Sequence, residues 1–391
     1  MTRSLQLSCC LLATLSAAAA LAQTAADPAY QRPPSPPVAY VYVSQPTHID
    51  AFAASAAGKL TAVSGSPFPG AVSSMSVNKS YLFGTGDNGT DLYSYSIAPD
   101  GALKQVAVTN ALNYGYGNGC PDGLGPLQID YAGTTLYNLV ASDCYYESYQ
   151  SFKIEAKGEL QYLGYSTPGD FYDPSNIITT PLVLLGNDQY GYGVGCYEED
   201  TPFPFSTGYK RESNGLLTFY SFETTPFPTP KDSANDFYCP YLLAGDPANH
   251  MAVAMQAISE LGGSEGPVVL ASYTADAQGN LSTTSTYETM PTTGLNTIAA
   301  ISISPTGKLV AAGGTGFQVF HFNGGNPITP YTGLLQAADQ FLQFGWDTDN
   351  HLYALSNGQL RVYTVTPTSF EEDAGSPYSV PEASSLIVLS K

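Results

Sequence analysis

The chain has 391 residues, of which 43% are hydrophobic and 12% charged, and its 33 acidic against 13 basic side chains leave a net charge of −20. That balance excludes a nucleic-acid partner, because phosphate binding needs a basic surface, and it disfavours adhesion to an anionic membrane. Charge at about half the usual ~25%, together with 29 Tyr, 38 Gly and 29 Pro, fits an all-β protein rich in turns.

Residues 1–22 read as a signal peptide. Arg3 supplies the positive start, Leu5 to Leu21 is mostly apolar, and Ala20-Leu21-Ala22 is a small-x-small cleavage site with Gln23 as the mature start. The expected location is therefore secreted or periplasmic. No other run of ~18 apolar residues provides a membrane span. Residues 23–37, with Pro33-Pro34-Ser35-Pro36-Pro37, form a proline-rich lead expected to be extended.

From Val38 to the C-terminus one unit repeats. An aromatic residue stands six positions before a turn residue: Phe52, Tyr95, Phe152, Tyr209, Tyr273, Phe320 and Tyr363 before Gly58, Gly101, Gly158, Gly215, Gly279, Asn326 and Ser369. Two residues further on come Leu60, Leu103, Leu160, Leu217, Leu281 and Ile328, with Glu371 in a degenerate seventh copy. Met75 to Leu103 shows the pattern most plainly: a polar turn at Asn78-Lys79-Ser80, a strand carrying Leu92, Tyr93, Tyr95 and Ile97, and a Pro99-Asp100-Gly101 turn. A repeat of about 40 residues or more with four strands predicts a seven-bladed β-propeller spanning 38–391. Val38 to Val43 begins as the second strand of its blade. The lone strand Ser384 to Leu389 follows Gly375-Ser376-Pro377-Tyr378 much as Ser73 to Val77 follows Gly65-Ser66-Pro67-Phe68. The C-terminal strand is therefore expected to complete blade one and remove an exposed sheet edge. Residues 111–126, 195–208 and 221–240 read as insertions.

With the strands of a blade labelled a to d from the centre outward, the a–b and c–d turns share one face. The b–c and d–a loops share the other, the funnel side where propellers usually bind ligands. Four cysteines remain after signal removal, all on the b–c/d–a face; the expected pairs are Cys120–Cys144 and Cys196–Cys239, stapling long loops at ~2–4 kcal/mol each. His250 and His351 fall at equivalent a–b turns on the opposite face, and His321 lies on a c strand. Only His48 has a position on the funnel side. The funnel loops are acidic and tyrosine-rich: Asp87 and Asp91, Asp143 with Tyr145, Tyr146 and Glu147, Tyr197 with Glu198, Glu199 and Asp200, then Glu260 and Glu265. Asp87, Asp143 and His48 are the candidates for catalysis, and Asp87, Asp91, Tyr145, Tyr146, Glu147, Tyr197 and Glu198 those for binding. Clustered carboxylates suit Ca²⁺, but the spacing matches no calcium loop, so a solvated acidic rim is preferred and no metal or cofactor is expected. Tyr114, Tyr116, Tyr145, Tyr146, Tyr190, Tyr192 and Tyr197 form either a recognition surface or packing between blades.

Ile301-Ser302-Ile303-Ser304-Pro305-Thr306-Gly307-Lys308-Leu309-Val310, Val41-Tyr42-Val43-Ser44 and the Tyr95 to Leu103 pattern resemble the lactonase-like seven-bladed propellers, the 6-phosphogluconolactonase and YVTN-repeat group. The resemblance spans about 38–390 and rests on structural residues. It implies a propeller that either acts on sugar lactones or has no catalysis. The chain departs from the enzymes: no His-Pro precedes a b strand and no Glu ends one in the family's manner. Arg32, Arg211 and Arg361 lie outside the funnel loops, Lys59, Lys79, Lys157 and Lys308 map to the opposite turns, and Lys231 is the lone funnel-side cation. A sugar phosphate needs an Arg or Lys clamp. The expectation is an exported, monomeric binding or interaction module for a protein, glycan or small molecule. The alternative is a hydrolase for an unphosphorylated lactone.

Overall fold

The second strand of each unit is a run of residues buried on both faces, and this feature organises the molecule. In the computed structural model, which describes residues 35–115, 121–142, 148–167, 182–197, 203–223, 227–231, 236–259, 264–366 and 368–391, all six residues of β1 (Ala39–Ser44) are buried. A strand reads as continuously apolar only when neighbours cover both of its faces. It pairs antiparallel with β2 (His48–Ala54), which pairs with β3 (Leu60–Ala62) and, off the main path, with β4 (Phe68–Pro69).

The next four sheets repeat that plan, each four-stranded and antiparallel in meander order. They comprise β5 (Val72–Val77), β6 (Tyr81–Gly86), β7 (Asp91–Ile97) and β8 (Leu103–Asn110); β9 (Pro121–Ile129), β10 (Thr135–Ser142), β11 (Ser148–Ile154) and β12 (Leu160–Ser166); β13 (Val183–Leu184), β14 (Tyr190–Tyr197), β15 (Phe203–Arg211) and β16 (Leu217–Glu223); and β17 (Asp236–Gly245), β18 (His250–Ser259), β19 (Ser264–Ala275) and β20 (Leu281–Ser282). The expected insertions shrink accordingly, because β9, β14, β15, β16 and β17 extend into them.

An eight-stranded sheet follows, formed by β21 (Ala300–Ile303), β22 (Leu309–Asn323), β23 (Asn326–Pro330), β24 (Leu335–Trp346), β25 (His351–Ser356), β26 (Gln359–Val365), β27 (Phe370–Glu372) and β28 (Tyr378–Ser379). Among the described residues hydrogen bonding thus gives six sheets where the repeat has seven units. The difference lies in β22. The Phe322 N–H donates to the Lys308 carbonyl, so this segment doubles back on itself, and its tip pairs with the first half of β24, Phe317 opposite Leu335 and Thr315 opposite Gln340. In this unit the left-handed turn residue is Gly324, with φ +60, and the aligned Asn326 opens the next strand.

The C-terminal strand β29 (Ser385–Ser390) pairs antiparallel with β1 over its whole length, Ser385 opposite Ser44 and Ser390 opposite Ala39. The expected closure of the first sheet by the end of the chain is therefore present. The leading strands also touch in sequence: β29 lies against β5, β5 against β9, β13 against β17, β17 against β21, β21 against β24, and β24 against β29. Every strand named here belongs to one compact unit that begins at Pro36.

Tyrosine abundance has a structural cause. The hydroxyls of Tyr42, Tyr137 and Tyr192, each buried on a second strand, donate to the Gly101, Gly215 and Gly279 carbonyls in the c–d turn of the next sheet, at 3.1, 2.8 and 2.8 Å. Tyr40, Tyr81 and Tyr190 donate to Pro99, Ala156 and Ala277 in the same turns. Burial pushes the Tyr137 hydroxyl up to about 12 and raises Tyr42 and Tyr192, so all three remain neutral donors. Gly101 sits at φ +87, and a Cβ there would fall 2.5 Å from the Tyr40 ring, so the turn needs glycine to let the neighbouring sheet approach.

The repeat aromatics behave differently. Tyr95 and Tyr273 carry buried hydroxyls with no hydrogen-bond partner in the structure, at positions where three other units have Phe52, Phe152 and Phe320. Tyr42→Phe is expected to cost roughly 1–3 kcal/mol, because it orphans the buried Gly101 carbonyl. Tyr95→Phe should be neutral or stabilising. Urea unfolding midpoints of the two variants check the contrast.

Candidate functional site

On the b–c/d–a face, the first two sheets form a continuous rim. The β1–β2 hairpin is closed by reciprocal backbone bonds between Gln45 and His48. His48 pairs with Pro69, the Gly70 N–H donates to the Thr47 carbonyl, and the Asp87 N–H donates to the Ala71 carbonyl. One strip of backbone, 69–72, therefore holds the His48 hairpin beside the Asp87 turn. The Leu124 N–H then donates to the Gly89 carbonyl, carrying the rim on to the β9 sheet.

Within that strip the sequence candidates divide. The His48 imidazole faces Asp50, its Nε2 lying 3.7 Å from Oδ1, with side chains 31% and 18% exposed. That separation is too long for a direct hydrogen bond but suits a loose ion pair when the ring is protonated. His48 Nδ1 lies 3.1 Å from Thr47 Oγ1, and Gln45 Nε2 donates to the other Asp50 oxygen. Asp50 and Gln45 are rim residues the sequence reading missed; Asp50, two residues after His48 on the same face of a strand, was the available signal. Asp87 is exposed at the turn after β6. Asp91 accepts a 2.7 Å bond from Asn88 Nδ2, while the Asn88 side-chain oxygen accepts from the Thr90 and Asp91 N–H groups. Asp91 thus shapes the turn and Asp87 presents charge to solvent. Asp143, Tyr145, Tyr146, Glu147, Glu198, Cys120 and Cys144 lie outside the described residues, and of Tyr197 only the backbone in β14 is described.

The Cys196–Cys239 disulfide is formed as expected, with Cα atoms 5.5 Å apart, and joins the end of β14 to β17. Tyr190 and Tyr192 are buried between sheets, so for these two the packing reading holds. Tyr114 stacks on Tyr162 with ring centroids 4.8 Å apart.

Lys231 is exposed, whereas Arg361 is committed to carboxylates. The Arg361 guanidinium starts in β26, beyond any loop, yet reaches Asp339 at 3.0 Å, Glu372 at 2.9 Å and the Gln359 side chain. The described side chains of the leading strands β5, β9, β13, β17, β21, β24 and β29 include one charge, Asp339, which this arginine neutralises. Among the described residues no group of three or more His, Cys, Asp or Glu side chains is arranged to hold a metal ion, and no helix is long and apolar enough to cross a membrane.

The opposite face carries the tightest polar geometry. Five a–b turns are capped by a side chain at their first position: Asn78, Asp130, Asp246, Ser304 and Asp347 accept backbone N–H bonds from the residues that follow, whereas the β13–β14 turn begins at Leu185 and uses Asn187. Asp246 also binds His250 Nδ1 at 2.8 Å and Asp347 binds His351 Nδ1 at 2.7 Å. These His–Asp pairs resemble catalytic dyads in distance, but each is folded into a turn beneath a neighbouring sheet. His321 stacks on Tyr331.

No protein-family model and no curated protein sequence matches the chain. Solved structures do. A candidate 6-phosphogluconolactonase from Bacteroides uniformis superposes with a TM-score of 0.60 at 14% identity, covering 90% of this chain and 99% of its own. A hypothetical selenium-binding protein from Sulfolobus tokodaii gives 0.59 at 10% identity, covering 90% and 93%. A functionally unknown protein from Desulfotomaculum acetoxidans gives 0.56 at 13%, covering 90% and 98%. The fold is β-propeller-like and lactonase-like. At these identities the likeness is one of architecture, and chemistry has to be argued from this chain's own side chains.

Proposed function

We propose that the chain is an exported, seven-bladed lactonase-like propeller that serves as a non-catalytic binding module, taking an uncharged or cationic ligand on its b–c/d–a face. Support for seven blades comes from the seven repeat aromatics, the doubled-back β22 and the chain of contacts among leading strands. The observation that carries the functional reading is the charge layout. Among the described side chains of the leading strands the one charge, Asp339, is paired with Arg361, the rim presents Asp87 and Asp50, and that arginine is held between two carboxylates. A phosphorylated sugar would meet acid without a free guanidinium clamp.

A hydrolase acting on an unphosphorylated lactone is the second reading, favoured by the His48–Asp50 pair at the rim, which has the residue types for general-base activation of water. Glucono-δ-lactone separates the two. The expected result is hydrolysis at the buffer rate in the presence of the protein. Acceleration that Asp87→Asn, Asp143→Asn or His48→Gln abolishes would establish the hydrolase instead.

A further inference from the structure

At three junctions between sheets a buried tyrosine donates to the turn glycine of the next sheet, as Tyr42, Tyr137 and Tyr192 do. The junction between the β24–β28 strands and the first sheet, where the end of the chain meets its beginning, is built otherwise. The equivalent tyrosine, Tyr353, is fully buried but donates to Asp347 Oδ2 at 2.8 Å. His351 stands where Tyr40 and Tyr190 stand in their units and binds the same Asp347 oxygen through Nδ1. Asp347 is 0% and His351 2% exposed. The equivalent turn glycine, Gly58, is covered by Asp373: a Cβ on Gly58 would fall 1.6 Å from Asp373 Oδ2. That oxygen is buried without a hydrogen-bond partner, while Oδ1 accepts from Thr364 Oγ1 at 2.9 Å. Neutral pins are thus replaced by an imidazole bound to one buried carboxylate, Asp347, and by a second carboxylate, Asp373, seated over the Gly58 turn.

We propose that this junction is an acid-tightened latch, in which a protonated His351 on Asp347 offsets the buried Asp373 carboxylate that sits over the Gly58 turn, and which loosens when the imidazole is neutral. The charged and titratable neighbours all point the same way. Asp347 and Asp349 come from the turn before β25, Tyr353 from β25 itself, and Asp373, with Glu372 behind it, from the segment ending β27. The first sheet brings only the Gly58 turn, whose neighbour Lys59 is exposed. Burial pulls the His351 imidazole down, but the Asp347 hydrogen bond and the charges of Asp347, Asp373 and Asp349 outweigh it and raise its pKa. Burial raises Asp373, helped by the charges of Asp347 and Glu372 and opposed by Thr364 and His351. Burial also opposes ionisation of Asp347, yet the His351 and Tyr353 hydrogen bonds leave it below the ordinary carboxylate range.

The sign follows by linkage. A raised imidazole pKa contributes stability that is complete below its unfolded value near ~6.5 and is lost as pH rises through the folded value. A raised carboxyl pKa acts in the same direction. The lowered Asp347 withdraws its contribution only in stronger acid. The latch is therefore tightest in mild acid and weakens above neutrality.

Hydrogen exchange followed by mass spectrometry tests it on the full chain at about pH 5.5 and 8.5, with rates corrected for intrinsic pH dependence. Peptides covering β29 and β1 should lose protection by about tenfold or more at the higher pH relative to those covering β5–β8. His351→Gln and His351→Tyr should remove that contrast, as should Asp373→Asn, which alters a half-exposed group and leaves the core intact. The proposal is overturned if all sheets change together, or if the contrast survives in the Asp373→Asn protein.

Discussion

Replacing Asp130 by alanine is expected to destabilise the fold by roughly 3–5 kcal/mol, the usual cost of stranding one partner of a buried ion pair. Its side chain is fully buried, and one oxygen accepts from Arg211 Nη2 at 2.6 Å and Nε at 3.1 Å. Thr134 Oγ1 donates to that oxygen, while the other takes the N–H groups of Thr134 and Thr135. Arg211 comes from the neighbouring sheet and is itself largely buried, so the variant leaves a guanidinium without its counter-charge and two turn amides without an acceptor. Urea unfolding of Asp130→Ala provides the number. The double variant Asp130→Leu/Arg211→Met removes both charges and should recover much of the loss. A single-variant cost below about 1 kcal/mol would show that the pair does not hold the junction between these sheets.

Breaking the Cys196–Cys239 bond is expected to cost about 4 kcal/mol, the chain-entropy value for a closed loop of 43 residues. Both sulfurs are buried, Cys239 at 1% exposure, and pack with Ile258, Phe237 and Tyr241. The bond ties the end of β14 to β17 across the segment that joins two sheets. Dithiothreitol should lower the unfolding midpoint of the wild-type chain. In the Cys196→Ala/Cys239→Ala variant the starting midpoint should be low and the further shift smaller than in the wild type, the remainder being the contribution of any bond formed by Cys120 and Cys144. Equal dithiothreitol shifts in both proteins would remove the assigned role.

Much of the architecture was legible from periodicity. Phe52, Tyr95, Phe152, Tyr209, Tyr273 and Tyr363 all lie on third strands, because a residue opposite the buried second strand must be large and apolar in every copy. The closing β29–β1 pair was legible because the Gly-Ser-Pro-aromatic segment recurs before it. The structure gives that segment a role: Ser66 and Ser376 both accept from a third-strand N–H, those of Ala51 and Val362. The merging of β21–β28 into one sheet was not legible, since it depends on how the Gly313-Gly314-Thr315-Gly316 tip of β22 meets β24. Nor was the division of the tyrosines, because Tyr42 and Tyr95 look alike in sequence and differ only in what lies beyond the hydroxyl.

The candidate site was half legible. Loop order placed His48 and Asp87 on one face, and the strip 69–72 joins them. Asp50 was overlooked because it belongs to a strand, and Gln45 because an uncharged residue of the β1–β2 loop gives no sequence signal of its own. Arg361 lies outside the loops as expected, on β26, and its reach to Asp339 and Glu372 was not legible because a long side chain acts where its tip ends, not where its Cα sits.

The sequence by itself determined an all-β repeat protein, the unit that repeats, the way its ends meet, one cysteine pair and an acidic character. These are properties of local pattern and total charge, which survive any rearrangement of loops. Only the tertiary structure decided which polar groups are consumed in holding sheets together and which are left to meet a ligand. Asp130, Asp246 and Asp347 cap turns and bind Arg211, His250 and His351, whereas Asp87 stands in solvent. The physical reason is burial: a carboxylate's role depends on the donors that reach it across a junction between sheets, and those come from residues up to 81 positions away in the chain.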